Sequence, residues 1–137
     1  MTEFVADASV ALKWFVPEED SEAAEKLLST GIKLHAPRFL ALETANAAWK
    51  NWRKKLIDQS VVESVSERLP KLIEVWIADD DLYHDALSLA LTLKHPIFDC
   101  IYLAAAKRVG GAVITADKRL LSIAPHGLAV ALEDWRA

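Results

Sequence analysis

The sequence predicts an α/β fold: a central parallel sheet covered by helices on both faces, a three-layer α/β/α sandwich. Two observations predict it. Strand-like segments alternate with helical ones almost throughout. The strands are near-continuous apolar runs, as in sheets buried on both sides, rather than the alternating runs of a half-exposed sheet. The chain has 137 residues, 53% of them apolar. That length predicts one domain, 1–137, large enough for a core of its own.

Each element has its own signal. Phe4–Ala6 is a short apolar run and reads as the first strand. SVALKWF follows as a short helix stopped by Pro17. EEDSEAAEKLLSTG has acids in its first turn and Gly31 as a stop, so it reads as a helix. IKLHAP is a second strand ended by Pro37. RFLALETANAAWKNWRKKL is the longest helical pattern, rich in Ala and Leu. Its basic end suits the negative end of the helix dipole. DQSVVESVSERL is a further helix, after which Pro70 is expected to break or kink the chain. LIEVWI is a third strand candidate, although periodicity alone leaves a helix tail open. DDDLYHDALSLALTL is a helix with acids at its positive end. His95-Pro96 makes a turn, and IFDCIYLAAAKRVGG is an apolar helix closed by two glycines. AVITA is a fourth strand, DKRLLSIAP a short helix and LAVALE a last strand.

Bulk properties narrow the function. The formal charge is −4, so nucleic acid cannot be held by overall positive charge. A phosphate substrate would need a local basic patch or a bound cation. No apolar run approaches the roughly 20 residues of a membrane span, and no export signal is visible. The one cysteine, Cys100, cannot form an internal disulfide, which suits a reducing cytoplasm. Five tryptophans are many for this length, and some are expected in a subunit or partner interface.

Four acids stand in unusual places. In open α/β sheets, ligand sites lie beyond the carboxyl ends of the strands. Asp7 follows the first strand and Asp117 follows AVITA, so both are expected at that edge, with Ser9 and Thr115 supplying hydroxyls nearby. Glu43 and Asp99 lie inside apolar helical patterns. A carboxylate buried there costs several kcal/mol without a partner, and neither segment offers an obvious local counter-charge. Lys50 is nearly two turns from Glu43. The partner is either a basic side chain from elsewhere or a divalent cation shared among several acids. Oxygen donors without histidine or cysteine favour Mg²⁺ or Mn²⁺ over zinc, and such ions serve phosphoryl chemistry. Plainer roles stay open. Asp7 and Asp117 can each N-cap the following helix, Asp99 can cap the helix after Pro96, and Glu43 can be a partly exposed helix residue.

Other motif classes are empty. The four histidines have no zinc spacing, no Gly-rich phosphate loop is present, and no nucleophile-elbow pattern supports a Ser/His/Asp triad. His84 and His95 read as surface or turn residues.

Taken together and in order, VADASVALKW, LALETANAAW, FDCIYLAAA and VITADKRL resemble the PIN-domain family, and within it the VapC-type toxins of toxin–antitoxin pairs. The likeness runs over essentially the whole chain. It implies a three-layer sandwich and an Mg²⁺- or Mn²⁺-dependent endoribonuclease that hydrolyses RNA with metal-activated water. The family's acids fall on Asp7, Glu43, Asp99 and Asp117. Asp7, Asp99 and Asp117 would hold the metal, while Glu43 would ligate it or orient the attacking water. The small polar residue of the first motif falls on Ser9 and the threonine of T-x-D on Thr115, as hydroxyls that fix carboxylate rotamers. The third motif departs from the usual Asp-Ala by reading Asp99-Cys100, and a cysteine can pack in that place. The resemblance also implies a homodimer and a small VapB-like antitoxin. By their nearness in sequence to the acids, Lys13, Lys50, Arg53, Lys118 and Arg119 are candidate contacts to RNA phosphates. WKNWRKK can equally face a partner. Two other readings remain: a catalytically inactive PIN-like binding or scaffold module, and a receiver-like phospho-acceptor domain. The latter lacks its expected strand-then-lysine.

Overall fold

β1 (Glu3–Ala6) is the middle strand of a five-stranded sheet in which every pairing is parallel. The computed structural model describes residues 3–135; residues 1, 2, 136 and 137 of the expected domain lie outside them. β2 (Lys33–Pro37) and then β3 (Val75–Ile77) lie on one side of β1; β4 (Ala112–Thr115) and β5 (Ala129–Ala131) lie on the other. The chain therefore winds outward from β1 to β3, crosses back, and winds outward again. Right-handed crossovers place the helices of these two excursions on opposite faces, which makes three layers.

The point where winding reverses lies between β1 and β4. Their register pairs Phe4 with Ala112 and Ala6 with Ile114. The next residues, Asp7 just beyond β1 and Thr115 at the end of β4, thus stand side by side at the carboxyl edge.

The helices follow the expected order. α1 (Ala8–Ala11) continues as a 3-10 turn over Leu12–Trp14, and α2 spans Ser21–Leu27. α3 (Phe39–Arg53) buries Leu40, Thr44 and Ala48, one face at four-residue spacing. α4 (Gln59–Leu72) packs on α3 and buries Val65 and Leu69. α5 (Asp79–Leu93) carries Asp79, Asp80 and Asp81 in its first turn, where the helix dipole favours negative charge. Asp79 also accepts the Phe39 N–H at 3.0 Å, tying the start of α5 to the start of α3. α6 (Ile97–Val109) buries Cys100 and the run Tyr102–Ala106 against β1, β2 and β4. α7 (Lys118–Ile123) covers β4 and β5. Among the described residues no single helix is long and apolar enough to cross a membrane.

Three boundaries differ from expectation. The EEDSEAAEKLLSTG helix is confined to Ser21–Leu27. The Ser21 hydroxyl accepts the Glu18 N–H at 2.8 Å, and Asp20 takes a left-handed backbone, φ 64°. The entry is therefore a side-chain-bridged turn rather than a first helical turn. Pro70 does not end α4, which runs on to Leu72; a proline near the end of a helix removes only one ladder bond. β3 is accordingly restricted to the last three residues of LIEVWI, and LAVALE yields only Ala129–Ala131 before a 3-10 turn over Leu132–Asp134.

Two adjacent glycines bring α6 into β4. Gly110 closes the helix in the left-handed region, φ 69°. Gly111 passes so close to β1 that a Cβ there would lie 1.9 Å from the Glu3 carbonyl oxygen. The neighbour is backbone, so relief requires moving β1 or β4. Gly111→Ala is expected to destabilise the fold by about 1–3 kcal/mol, read as a lower urea midpoint with an unchanged slope.

Candidate active site

The carboxyl edge of the sheet at β1 and β4 holds the first cluster. Asp7 is 4% exposed. It N-caps α1 by accepting the Val10 N–H at 3.2 Å. The Ser9 hydroxyl donates to its Oδ1 at 2.6 Å, and the Thr115 hydroxyl donates to Oδ2. These hydroxyls are themselves fixed. Ser9 Oγ accepts the Ala116 N–H at 2.9 Å, and Thr115 Oγ1 accepts the Asp117 N–H at 3.0 Å. Asp117 caps α7 by accepting the N–H groups of Arg119 and Leu120 at 2.9 and 3.4 Å.

Two acids arrive from helices. Glu43 sits in the second turn of α3, half-buried, and the Tyr102 hydroxyl donates to its Oε1 at 2.6 Å. Asp99 lies in the first turn of α6. It makes no cap there. Its Oδ2 is 2.6 Å from His95 Nε2, and the His95 side chain is only 7% exposed.

Charge couples the set. Burial pushes the Asp7 carboxyl up to about 6, against the pull of the Ser9 and Thr115 hydrogen bonds and with a further push from Glu43. Burial likewise raises Glu43, opposed by the Tyr102 hydroxyl and reinforced by the negative charges of Asp99 and Asp117. Tyr102 is raised well above its ordinary value by burial and by Glu43. Glu43 therefore feels the other three acids. Among the described residues no lysine or arginine lies within ion-pair distance of any of the four.

The donor set fits a hard divalent cation: oxygen donors, negative charge in excess and, among the described residues, no lysine or arginine paired with them. It is not a closed cage. Among the described residues no three acidic, histidine or cysteine side chains stand as a ready-made set for an ion. Each carboxylate is instead turned to a donor of the protein: hydroxyls for Asp7 and Glu43, an imidazole for Asp99, backbone N–H groups for Asp117.

The predicted basic contacts divide. Lys118 and Arg119 open α7 next to Asp117 and are exposed. A cavity of about 190 Å³ beside Thr115 and Ala116 has Lys13 and Lys118 in its wall, together with Glu19, Asp20 and Glu133. Lys13 donates to the Glu19 carbonyl at 2.7 Å and pairs with Glu18 at 3.6 Å, so its ammonium is already engaged. Lys50 and Arg53 lie at the far end of α3, about 10–15 Å along the helix from Glu43 at 1.5 Å per residue. They do not join the acids.

Two participants escape sequence reasoning. His95 reads as a turn residue; it is in a turn, but its ring is directed at Asp99. The available signal is its spacing, four residues before an acid. Tyr102, three residues after Asp99, reads only as part of an apolar helix. The missing local partner of Asp99 is thus His95, and that of Glu43 is a tyrosine 59 positions away.

A parallel α/β/α sandwich with acids gathered where its winding reverses defines a PIN-like protein. Comparison with known proteins agrees. The family model for the PIN domain matches residues 4–125. Ribonuclease VapC3 of Pyrobaculum aerophilum is 33% identical over 118 residues, covering 85% of this chain and 90% of that protein. PAE2754 from Pyrobaculum aerophilum superposes with a TM-score of 0.75 at 22% identity, over 96% of this chain and 85% of its own. Mycobacterium tuberculosis VapC20, described as a sarcin–ricin loop cleaving toxin, superposes at 0.67 with 14% identity, over 87% and 93%. This chain belongs to the PIN-domain family, among its VapC-type members.

The raised Asp7 carboxyl has a stability consequence. The folded state holds its proton up to about pH 6, whereas an unfolded aspartate releases it near 3.8. Between those values the native state binds more protons, so metal-free stability falls as pH rises through 4–6, by roughly 2–3 kcal/mol. Asp7→Asn keeps a capping oxygen and carries no charge. It is expected to flatten this slope and to raise the metal-free melting temperature at pH 7.5, measured by thermal unfolding in chelator.

Proposed function

We propose that this chain is a Mg²⁺- or Mn²⁺-dependent endoribonuclease, the toxin of a toxin–antitoxin pair, acting at Asp7, Glu43, Asp99 and Asp117. The observation that carries this reading is the buried Asp7 carboxylate, held by neutral donors only and pressed by Glu43. A purely structural aspartate in that position would be better replaced by asparagine, which caps equally well. The names of the VapC relatives support the reaction class.

In this reading Asp7, Asp99 and Asp117 hold the cation, and Glu43 either joins them or orients the attacking water. A divalent cation held there would supply a lowered pKa for a bound water and charge compensation at the phosphate oxygens. Ser9 and Thr115 keep the Asp7 carboxylate in one rotamer. Tyr102 keeps Glu43 from swinging away from the other acids. Lys118 and Arg119 contact the RNA backbone beside the scissile phosphate. The protein works in the cytoplasm as a homodimer, held in check by a small VapB-like antitoxin. Trp49 and Trp52, exposed on α3 beside Ala45 and Val62 of the α3–α4 groove, suit the partner-facing role of WKNWRKK.

Inducible expression of the wild type and of Asp7→Ala, followed by sequencing of RNA 5′ ends, tests the activity. Growth arrest with discrete new ends is expected from the wild type alone. The purified variant is expected to lose more than about 100-fold in cleavage rate, since even groups that merely orient metal ligands are worth about 10–100-fold. Equal growth and identical RNA in both strains would leave a PIN-like binding module as the better description. The double variant Lys118→Ala/Arg119→Ala is expected to bind RNA more weakly. Its slope of log affinity against log salt is expected to fall by about 1 for each phosphate that is no longer neutralised.

A further inference from the structure

We propose that His95 is a positioning residue of the acid cluster: it holds one oxygen of Asp99, leaves the other for the cation, and so sets the affinity for the divalent ion. The inference rests on the metal-dependent reading above and adds a residue to it.

The corner between α5 and α6 builds this contact. Lys94 takes a left-handed backbone, φ 53°, and the His95 N–H bonds back to the Ala90 carbonyl at 3.1 Å. Pro96 then starts α6 as its N-cap, with a fixed φ of −55°. Asp99 is the third residue of the helix. An acid at that position usually folds back onto the N-cap N–H, but proline has none. His95, one residue earlier, supplies a donor in its place. Its Nε2 lies 2.6 Å from Asp99 Oδ2, in a spot largely closed to water. The contact is thus built by backbone geometry on both sides, not by a side chain free to wander.

The residue type matters. A lysine or arginine at 95 would set a permanent positive charge against the incoming cation. A leucine would leave Asp99 free to rotate away from Glu43. An imidazole N–H fixes the rotamer through a hydrogen bond and carries no permanent charge. One oxygen of Asp99 is then occupied and the other is available, as expected for a carboxylate that contributes a single donor atom to a shared ion.

The test is Mn²⁺ binding to metal-free protein, read by electron paramagnetic resonance, for the wild type, His95→Leu, His95→Gln and Asp7→Asn. Loss of the imidazole donor in His95→Leu is expected to weaken Mn²⁺ about 10–100-fold. His95→Gln, whose amide N–H reaches to about the same place, is expected to recover most of that loss. His95→Leu binding as tightly as the wild type, while Asp7→Asn does not bind, overturns the role of His95 alone. Equal binding by the wild type and Asp7→Asn overturns the metal reading itself, and the proposal with it. A second measurement needs no variant. In the wild type, the His95 Nε2 resonance is expected to shift on Mg²⁺ titration with the same midpoint as Asp7-dependent binding. A resonance unmoved at saturating Mg²⁺ also overturns the proposal.

Discussion

The Asp7 carboxylate, buried where β1 and β4 diverge, is the constraint around which the rest of the edge is arranged. Removing a carboxylate from water is costly, and here only neutral groups compensate: two hydroxyls and one backbone N–H. Those hydroxyls must in turn be held. Ser9 is fixed by the Ala116 N–H and Thr115 by that of Asp117, so the chain leaving β4 is tied to the chain leaving β1 through the acid between them. The parallel register that sets Ala6 beside Ile114 makes this possible. A slip of one residue would turn Thr115 to the opposite face of the sheet.

The same choice recurs at three of the four acids. Asp7, Glu43 and Asp99 are each oriented by a side chain that donates a hydrogen bond, and among the described residues none is paired with lysine or arginine. A structural ion pair would stabilise the fold more directly, because breaking up a set of like charges lowers the energy of every member. Burial first, and like charge after it, raises the Asp7 and Glu43 carboxyls, which weakens the metal-free fold at neutral pH. In the proposed reading, the arrangement is a store of negative charge kept oriented for a cation. Stability is given up locally, and the sheet core, apolar through Val5, Val113 and Ile114, can sustain the loss.

The fold is legible because buried parallel strands write themselves as apolar runs and the helices between them carry stop signals such as Pro37 and Gly110. What escapes is length. The start of α2 depends on a Ser21 side-chain bridge, and the end of α4 depends on a proline late enough to be tolerated. Neither has a periodic signature. At the site, residues adjacent to strand ends are legible because sheet topology alone puts Asp7, Ser9, Thr115 and Asp117 at one edge. Tyr102 is not, because its role depends on how α6 packs, and His95 leaves only a spacing of four before an acid. Tyr102 reaches an acid 59 residues away, and in sequence it differs in nothing from a core aromatic. Lys50 and Arg53 show that nearness in sequence is not contact with the acids: the length of α3 carries both about 10–15 Å from Glu43.

Capping and chemistry compete as explanations of Asp7 and Asp117 in the sequence; the geometry shows the capping, and capping is compatible with the proposed chemistry. Both do cap, each with an oxygen on the N–H groups of the helix it precedes. A cap fixes the carboxylate's rotamer at the same time as it satisfies the helix, and a fixed rotamer is what a ligand needs. Capping adds no formal counter-charge, since backbone amides are neutral groups. Two helices therefore aim their N-termini, α1 and α7, at a carboxylate on one edge of the sheet. Asp99 is the instructive exception. It sits in a first helical turn where proline has deleted the backbone donor, and a histidine from the preceding corner stands in its place. The imidazole serves the Asp99 carboxylate rather than the helix end, because a ring N–H cannot accept from the orphan N–H groups of the first turn.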